Sequence, residues 1–291
     1  MTTHAPTTTK PMTTRTLIPF LALTFALTWG IAALLILAPE PMERIFGPMG
    51  YTNVAFIVAV YGPAIAAVLL VVRSYGLAGL VLFVRRFTLW RMSVPWWVFL
   101  ILGIPVLTYL GAALSGHLGD PFPFSPWYLL VPALATRLFT GPVEELGWRG
   151  VALPLLQRRV APLWAGLIIG VIWAVWHLPA FSIGGTAHSA WDFGPYFVGV
   201  VALSVIVTAL FNVSRGSLLI AALFHFQMMN PILPEAQPWE NLVVALVAIV
   251  IVLRNPAMML RGEGAVTDVL MEERDADARR RVEGSSETRR A

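Results

Sequence analysis

Long uncharged apolar stretches, separated by short polar connections, set the pattern of this chain. A helix needs about 20 apolar residues to cross a bilayer. Eight stretches approach or meet that length: residues 16–38, 53–72, 93–115, 126–148, 161–180, 194–213, 217–231 and 239–253. The pattern therefore predicts an all-α, polytopic membrane helical bundle of about eight transmembrane helices. The first run is longer than the 7–15-residue apolar core of a cleavable signal, so it reads as a retained span.

The connections carry an alternating charge bias. Lys10 and Arg15 precede the first span; Arg73, Arg85, Arg86 and Arg91 follow the second; Arg158 and Arg159 follow the fourth. Arg215 lies between the sixth and seventh, and Arg254 and Arg261 follow the eighth. The other connections hold Glu40, Glu43 and Arg44, then Asp120, Asp192, and Glu235 with Glu240. Lysine and arginine mark the cytoplasmic loops of membrane proteins, so both termini are expected in the cytoplasm. An odd number of spans would break the alternation. Residues 76–92, apolar and then basic, are too short to span with their charges and predict an interfacial helix anchored by Trp90 and the arginines. The polar ends, 1–15 and 254–291, are expected to be disordered. Between them, residues 16–125 form N-terminal spans 1–3, and 126–253 a second block.

Composition sharpens this picture. The chain is 57% hydrophobic and only 12% charged, with mean hydropathy +0.74, against about 25% charged in a soluble domain. Charge is sparse until Arg261 and then crowds the last thirty or so residues. The pI near 9.8 and net charge of +4 thus reflect loops and tail. They point to the lipid bilayer as a partner and not to nucleic acid. The sequence has no cysteine, which excludes disulfides, thiolate catalysis and Cys-ligated metals. It also has no internal repeat, which counts against an inverted-repeat transporter.

Ionisable groups at bilayer depth cost a few kcal/mol and mark functional sites by default. Within the predicted spans they are Arg137, Glu144, Glu145, Arg149, His177 and His225. Glu145 and Arg149 stand at i,i+4 with the acid first, on one helix face. Arg137 lies two turns before Glu144 and offers a second cation. A neutralised structural cluster would explain one acid. Adjacent glutamates, however, diverge by about 100° around a helix, so Arg149 holds one acid and leaves the other freer. Pro142 breaks or kinks the helix just upstream; if it opens a new helix, both acids fall in its first turns, where the dipole favours them. Trp173 and His177 share a face in WAVWHLP, and His225 sits between two phenylalanines in an apolar helix. Two glutamates and two histidines on three helices suit hydrolysis: a carboxylate takes a proton from water, and a neutral imidazole orients it or stabilises the oxyanion. Glu144, His177 and His225 could equally hold a divalent metal such as zinc, with one position left for water. There is no HExxH, no Gly-x-Ser-x-Gly elbow and no aspartate in the spans, which removes paired aspartates and disfavours a serine site.

Together these stretches resemble the CPBP family of intramembrane proteases, which includes the type II CAAX prenyl endopeptidases and the bacterial Abi or bacteriocin-immunity proteins. Glu144, Glu145 and Arg149 match its Glu-Glu-x-x-x-Arg motif, Trp173 and His177 match an aromatic-x-x-x-His motif, and His225 matches the first position of His-x-x-x-Asn/Asp. The resemblance covers residues 126–231. It implies an intramembrane endopeptidase with Glu144 as general base assisted by His177, Glu145 secured by Arg149, and His225 at the oxyanion side. It leaves open both a metal-dependent and a metal-free mechanism, so no cofactor is fixed.

The third motif departs from the family. Met229 stands where Asn or Asp is expected, and Asn230 follows one position late. Pro231 disfavours α geometry at Asn230, which predicts that the helix ends there, or carries a π-bulge, and turns the amide back to the site. Gln227 and Asn212 are weaker substitutes. Without any of them the oxyanion contact is lost, at about 10²–10³ in rate. That departure supports a second reading, a weak or inactive membrane scaffold of the immunity type; a transporter is the third. A prenylated CAAX protein is the family's eukaryotic substrate. The Ala-, Arg- and Trp-rich composition suggests a bacterial chain, so a membrane-associated peptide or protein is the expected partner.

Overall fold

The computed structural model describes residues 11–271. These form a polytopic bundle of helices: α1 (Leu17–Leu37), α2 (Pro39–Phe46), α3 (Val54–Val60), α4 (Gly62–Val84), α5 (Val94–Ser115), α6 (Leu130–Thr140), α7 (residues 145–157), α8 (Pro162–Trp176), α9 (Phe193–Val213), α10 (Leu218–Met228), α11 (Trp239–Arg254) and α12 (Pro256–Arg261). Five helical segments are long and apolar enough to cross a membrane: Thr14–Leu37, Gly62–Thr88, Val94–Ser115, Pro162–Ser182 and Phe193–Val213. The last is 72% buried, against 28–39% for the other four. It is the central post, and its neighbours spend their outer faces on lipid-facing Leu, Ile, Val and Trp.

The remaining expected spans differ in instructive ways. Residues 53–72 do not form one helix, because Asn53 caps a short helix and Pro63 opens the next. The second span runs instead from Gly62 and turns at Gly76, whose φ of 67° leaves the helical region. The stretch expected as an interfacial helix is the piece after this turn. Residues 126–148 are broken by Gly141-Pro142, as proline's missing N–H predicts: α6 stops at Thr140, a 3₁₀ turn covers Pro142–Glu144, and α7 carries a π turn at Trp148–Ala152. Helix α10 is 11 residues long and α11 is 16.

One buried core joins the first half of the chain to the second. Phe20 meets Trp148 edge-on at 5.7 Å, and Trp148 meets Trp176 at 6.0 Å. A Cβ on Gly147 would lie 2.6 Å from Pro63 Cβ and 2.7 Å from the Pro63 carbonyl oxygen, so only glycine lets α7 pack directly on α4.

Arg86 is the main polar tie. It is 2% exposed and donates to the carbonyls of Gly216 (2.9 Å), Val269 (2.9 Å) and Asp268 (3.2 Å). It thereby fixes the α9–α10 turn and the chain's last described residues to one point. The expectation of disorder over residues 254–291 is corrected as far as 271. Helix α12 forms, Val269 is buried, and the Gln157 amide and the Val266 N–H bond Val266 and Asn212 respectively. Residues 11–15 are likewise ordered: the Met12 side chain is buried, its N–H reaches Tyr75 Oη at 2.9 Å, and Arg158 holds its carbonyl at 2.7 Å. Hydropathy windows missed both ends because single apolar anchors and side chain–backbone bonds hold them. The rest of those two polar ends, 1–10 and 272–291, lies outside the described residues.

Candidate active site

The break at Gly141-Pro142 places the acids. Glu144 closes the 3₁₀ turn and Glu145 starts α7, with exposures of 3% and 1%. Their carboxylates face different environments. Glu145 Oε1 accepts from Arg149 Nη1 at 3.2 Å and from His225 Nδ1 at 2.8 Å. Arg149, fully buried, also donates to Ser204 Oγ on α9 at 3.0 Å, and that hydroxyl donates to the Gly166 carbonyl of α8. Glu145 and Arg149 thus lock α7, α8, α9 and α10 together. Glu144 has no cationic partner of this kind. Its Oε2 accepts one hydrogen bond, from Trp173 Nε1 at 2.7 Å.

Trp173 is the hub of the site. Its ring packs edge-on against His225 at 5.3 Å, lies 5.8 Å from the His177 ring, and takes the Arg149 guanidinium over its face at 4.8 Å. Its backbone carbonyl accepts from His177 Nδ1 at 2.8 Å. Each imidazole therefore spends Nδ1–H on a fixed acceptor, and in each Nε2 is the nitrogen left for chemistry. A cavity of about 300 Å³ is lined by Glu144, His177, His225 and Asn230 together. Glu145 and Arg149 stand behind its wall.

The sequence-predicted residues thus separate into two groups. Glu144, His177, His225 and Asn230 come together at the cavity, whereas Glu145 and Arg149 support it. Arg137, expected as a cation for one of the acids, instead lies over the Tyr51 ring at 3.8 Å. Helix α10 ends at Met228, and Asn230 does turn out of the helix. Its amide, however, goes to Gln227 Oε1 at 3.1 Å, and its carbonyl oxygen accepts the Ile232 N–H. Asn212 is far from this role, paired with Gln157. Met229 Sδ occupies the space beside Gly141, and His225 Nε2 lies 2.9 Å from where a Gly141 Cβ would stand. Among the described residues no three His, Asp or Glu side chains gather as metal ligands. Glu144, His177 and His225 are not gathered as one ligand set among those residues.

Sequence reading missed His188, Ser204 and Tyr196. His188 stacks on His177 with ring centroids 5.3 Å apart and planes 23° from parallel, and its Nε2 meets Tyr196 Oη at 3.3 Å. It lies in a polar connection, where no span-based search looks. Only its proximity in sequence to WHLP hinted at it.

With this geometry in view, the similarities are informative. Residues 126–230 match the family model described as type II CAAX prenyl endopeptidase Rce1-like. A CAAX prenyl protease 2 of Methanococcus maripaludis is 30% identical over 145 residues, covering 46% of this chain and 54% of that protein. Over residues 126–230 this chain is similar to the type II CAAX prenyl endopeptidases. The chain spans about half the length of the curated relative it matches. The matched segment begins just before α6 and ends at Asn230, so it contains Arg137, Glu144, Trp173, His177, His188 and His225 but not Tyr51, whose ring carries Arg137. That similarity and the apolar helices of the described residues together fit a multi-pass membrane protein.

Proposed function

We propose that this protein is an intramembrane endopeptidase that hydrolyses a peptide bond of a membrane-associated protein or peptide. One observation carries the reading: of two adjacent buried glutamates, only Glu144 faces the cavity, and it lacks the arginine and histidine that hold Glu145. Glu144 takes a proton from a water in the cavity. His177 Nε2 accepts that water's other proton in a hydrogen bond and so aims the oxygen lone pair at the scissile carbonyl. The oxygen adds to the carbonyl carbon and the π electrons move to the carbonyl oxygen. His225 reaches that oxyanion through Nε2, and donates to it as the imidazolium. Collapse expels the amine, which takes the proton back from Glu144. Trp173 keeps Glu144 aimed, and the Glu145–Arg149 pair keeps His225 in register.

The test is cleavage in proteoliposomes of membrane-anchored peptides, read by mass spectrometry, with folding followed by thermal unfolding. Glu144→Ala and His225→Ala are expected to fold and to lose cleavage. Full activity in both would contradict the reading. The commitment of the Asn230 amide to Gln227, with Met229 beside His225, favours a second reading, a non-catalytic membrane scaffold. On that reading the wild-type chain cleaves nothing and its cellular role survives Glu144→Gln.

A further inference from the structure

Arg137 is the cation that the catalytic reading leaves unused. It lines the same cavity as Glu144, on α6, and its guanidinium lies over the Tyr51 ring at 3.8 Å. Among the described residues it makes no hydrogen bond and no ion pair, although a guanidinium offers five donors. The other acids of the cavity are engaged elsewhere. Glu144 accepts from Trp173. Glu235 accepts the N–H groups of Ala236 and Gln237. Glu240 accepts the Thr108 hydroxyl at 2.7 Å. Beside Arg137 stands a second unpaired group, His188 Nδ1, which is buried without a partner. Tyr51 links the two: its ring carries Arg137, and its hydroxyl accepts the N–H of Ala187, next to His188, at 2.9 Å.

The donors of the Arg137 fork meet no acceptor among the described residues at this corner of the cavity. The guanidinium lines the cavity with its donors unused among the described residues, so its counter-charge is expected to arrive with the occupant. The planar guanidinium fork matches a carboxylate in two parallel hydrogen bonds. A cavity of about 300 Å³ is small for a two-chain phospholipid and suits a few peptide residues. We infer that Arg137 is a specificity-determining residue that binds a carboxylate of the peptide substrate, with Tyr51 and His188 shaping its subsite. The inference rests on the endopeptidase reading for what occupies the cavity. The carboxylate can belong to a free C-terminus or to an acidic side chain.

The experiment measures binding, so it does not depend on cleavage. Three apolar hexapeptides with an N-terminal dansyl label, which carries no carboxylate, are titrated onto Glu144→Gln protein in phosphatidylcholine nanodiscs: one with a free C-terminus, one C-terminally amidated, and one amidated with an internal Asp. One of the two carboxylate peptides is expected to bind at least about ten-fold tighter than the neutral amide, and which one identifies the source. That preference should disappear in Arg137→Gln and persist in part in Arg137→Lys, so a misfolded glutamine variant leaves the lysine variant and the peptide comparison to decide. Equal binding of all three, binding of none, or a preference that survives Arg137→Gln overturns the inference. Phosphatidylglycerol that competes with the amide peptide as strongly as with the acids would assign the corner to a lipid headgroup and also overturn it. Loss of the endopeptidase reading shows separately, as absence of cleavage with native Glu144 while the carboxylate preference remains.

Discussion

Arg86 and Arg137 carry the same group in the same bundle and meet opposite treatment. Arg86 is buried and donates to three backbone carbonyls within 3.2 Å. Arg137 touches an aromatic face and bonds nothing among the described residues. The two glutamates repeat the contrast: Glu145 holds Arg149 and His225, whereas Glu144 keeps one bond to Trp173. A buried charge whose bonding capacity is used by fixed partners holds helices in register. A charge that faces a cavity with capacity to spare, whether buried like Glu144 or partly buried like Arg137, is available to a ligand or to water.

Breaking the saturated side should cost stability. Arg149→Met strands Glu145 with His225 alone, and the loss of one partner from a buried pair costs about 3–5 kcal/mol; thermal unfolding in detergent is expected to show it. Arg86→Met removes the donor to four carbonyls, those of Gly150, Gly216, Asp268 and Val269, and about 3 kcal/mol follows at about 1 kcal/mol for each buried acceptor left unsatisfied. Here limited proteolysis should open residues 262–271 first, while cleavage per folded molecule is kept. An Arg86→Met protein that stayed resistant would remove the clamp from the account.

Smaller changes act on the unsaturated side and should move rate more than melting. Trp173→Phe keeps a six-membered aromatic ring and deletes the donor to Glu144. It should lower kcat by about 10–100-fold, the worth of a hydrogen bond to a charged group. Gly141→Ala forces its methyl against Met229 Sδ and to 2.9 Å from His225 Nε2. About ten-fold or less is expected, and Met229→Ala should restore the rate because the two sites share one space. A double variant no better than Gly141→Ala would show that the crowding is not with Met229.

Much of the site could be read from residue spacing. Glu145 and Arg149 at i,i+4 predicted their ion pair even across a π turn, and Gly141-Pro142 predicted the break that aims Glu144. What the spacing could not supply was the third dimension. Arg137 sits at helical distance from the acids but on a separate helix, so the break that freed Glu144 also turned Arg137 away to Tyr51. Asn230 leaves the helix as Pro231 required, yet a nearer acceptor, Gln227, takes its amide. At the fold level, apolar length found the long spans and mistook residues 53–72 for one, because a cap at Asn53 and a proline at 63 are weak signals inside a uniformly apolar run. The order in residues 262–271 rests on Arg86, Gln157, Arg158 and Asn212, all distant in sequence, which no local window contains.

The central claim is the division of labour between two neighbouring carboxylates. The direct measurement is a side-by-side comparison of Glu144→Gln and Glu145→Gln, each assayed for peptide cleavage in proteoliposomes and for thermal midpoint. Glu144→Gln should fall by about 10³-fold or more in rate, the scale of a lost general base, and keep the wild-type midpoint. Glu145→Gln should melt earlier, since it loses the partner of Arg149 and His225. Wild-type cleavage in Glu144→Gln, or an early melt confined to Glu144→Gln, would contradict the account.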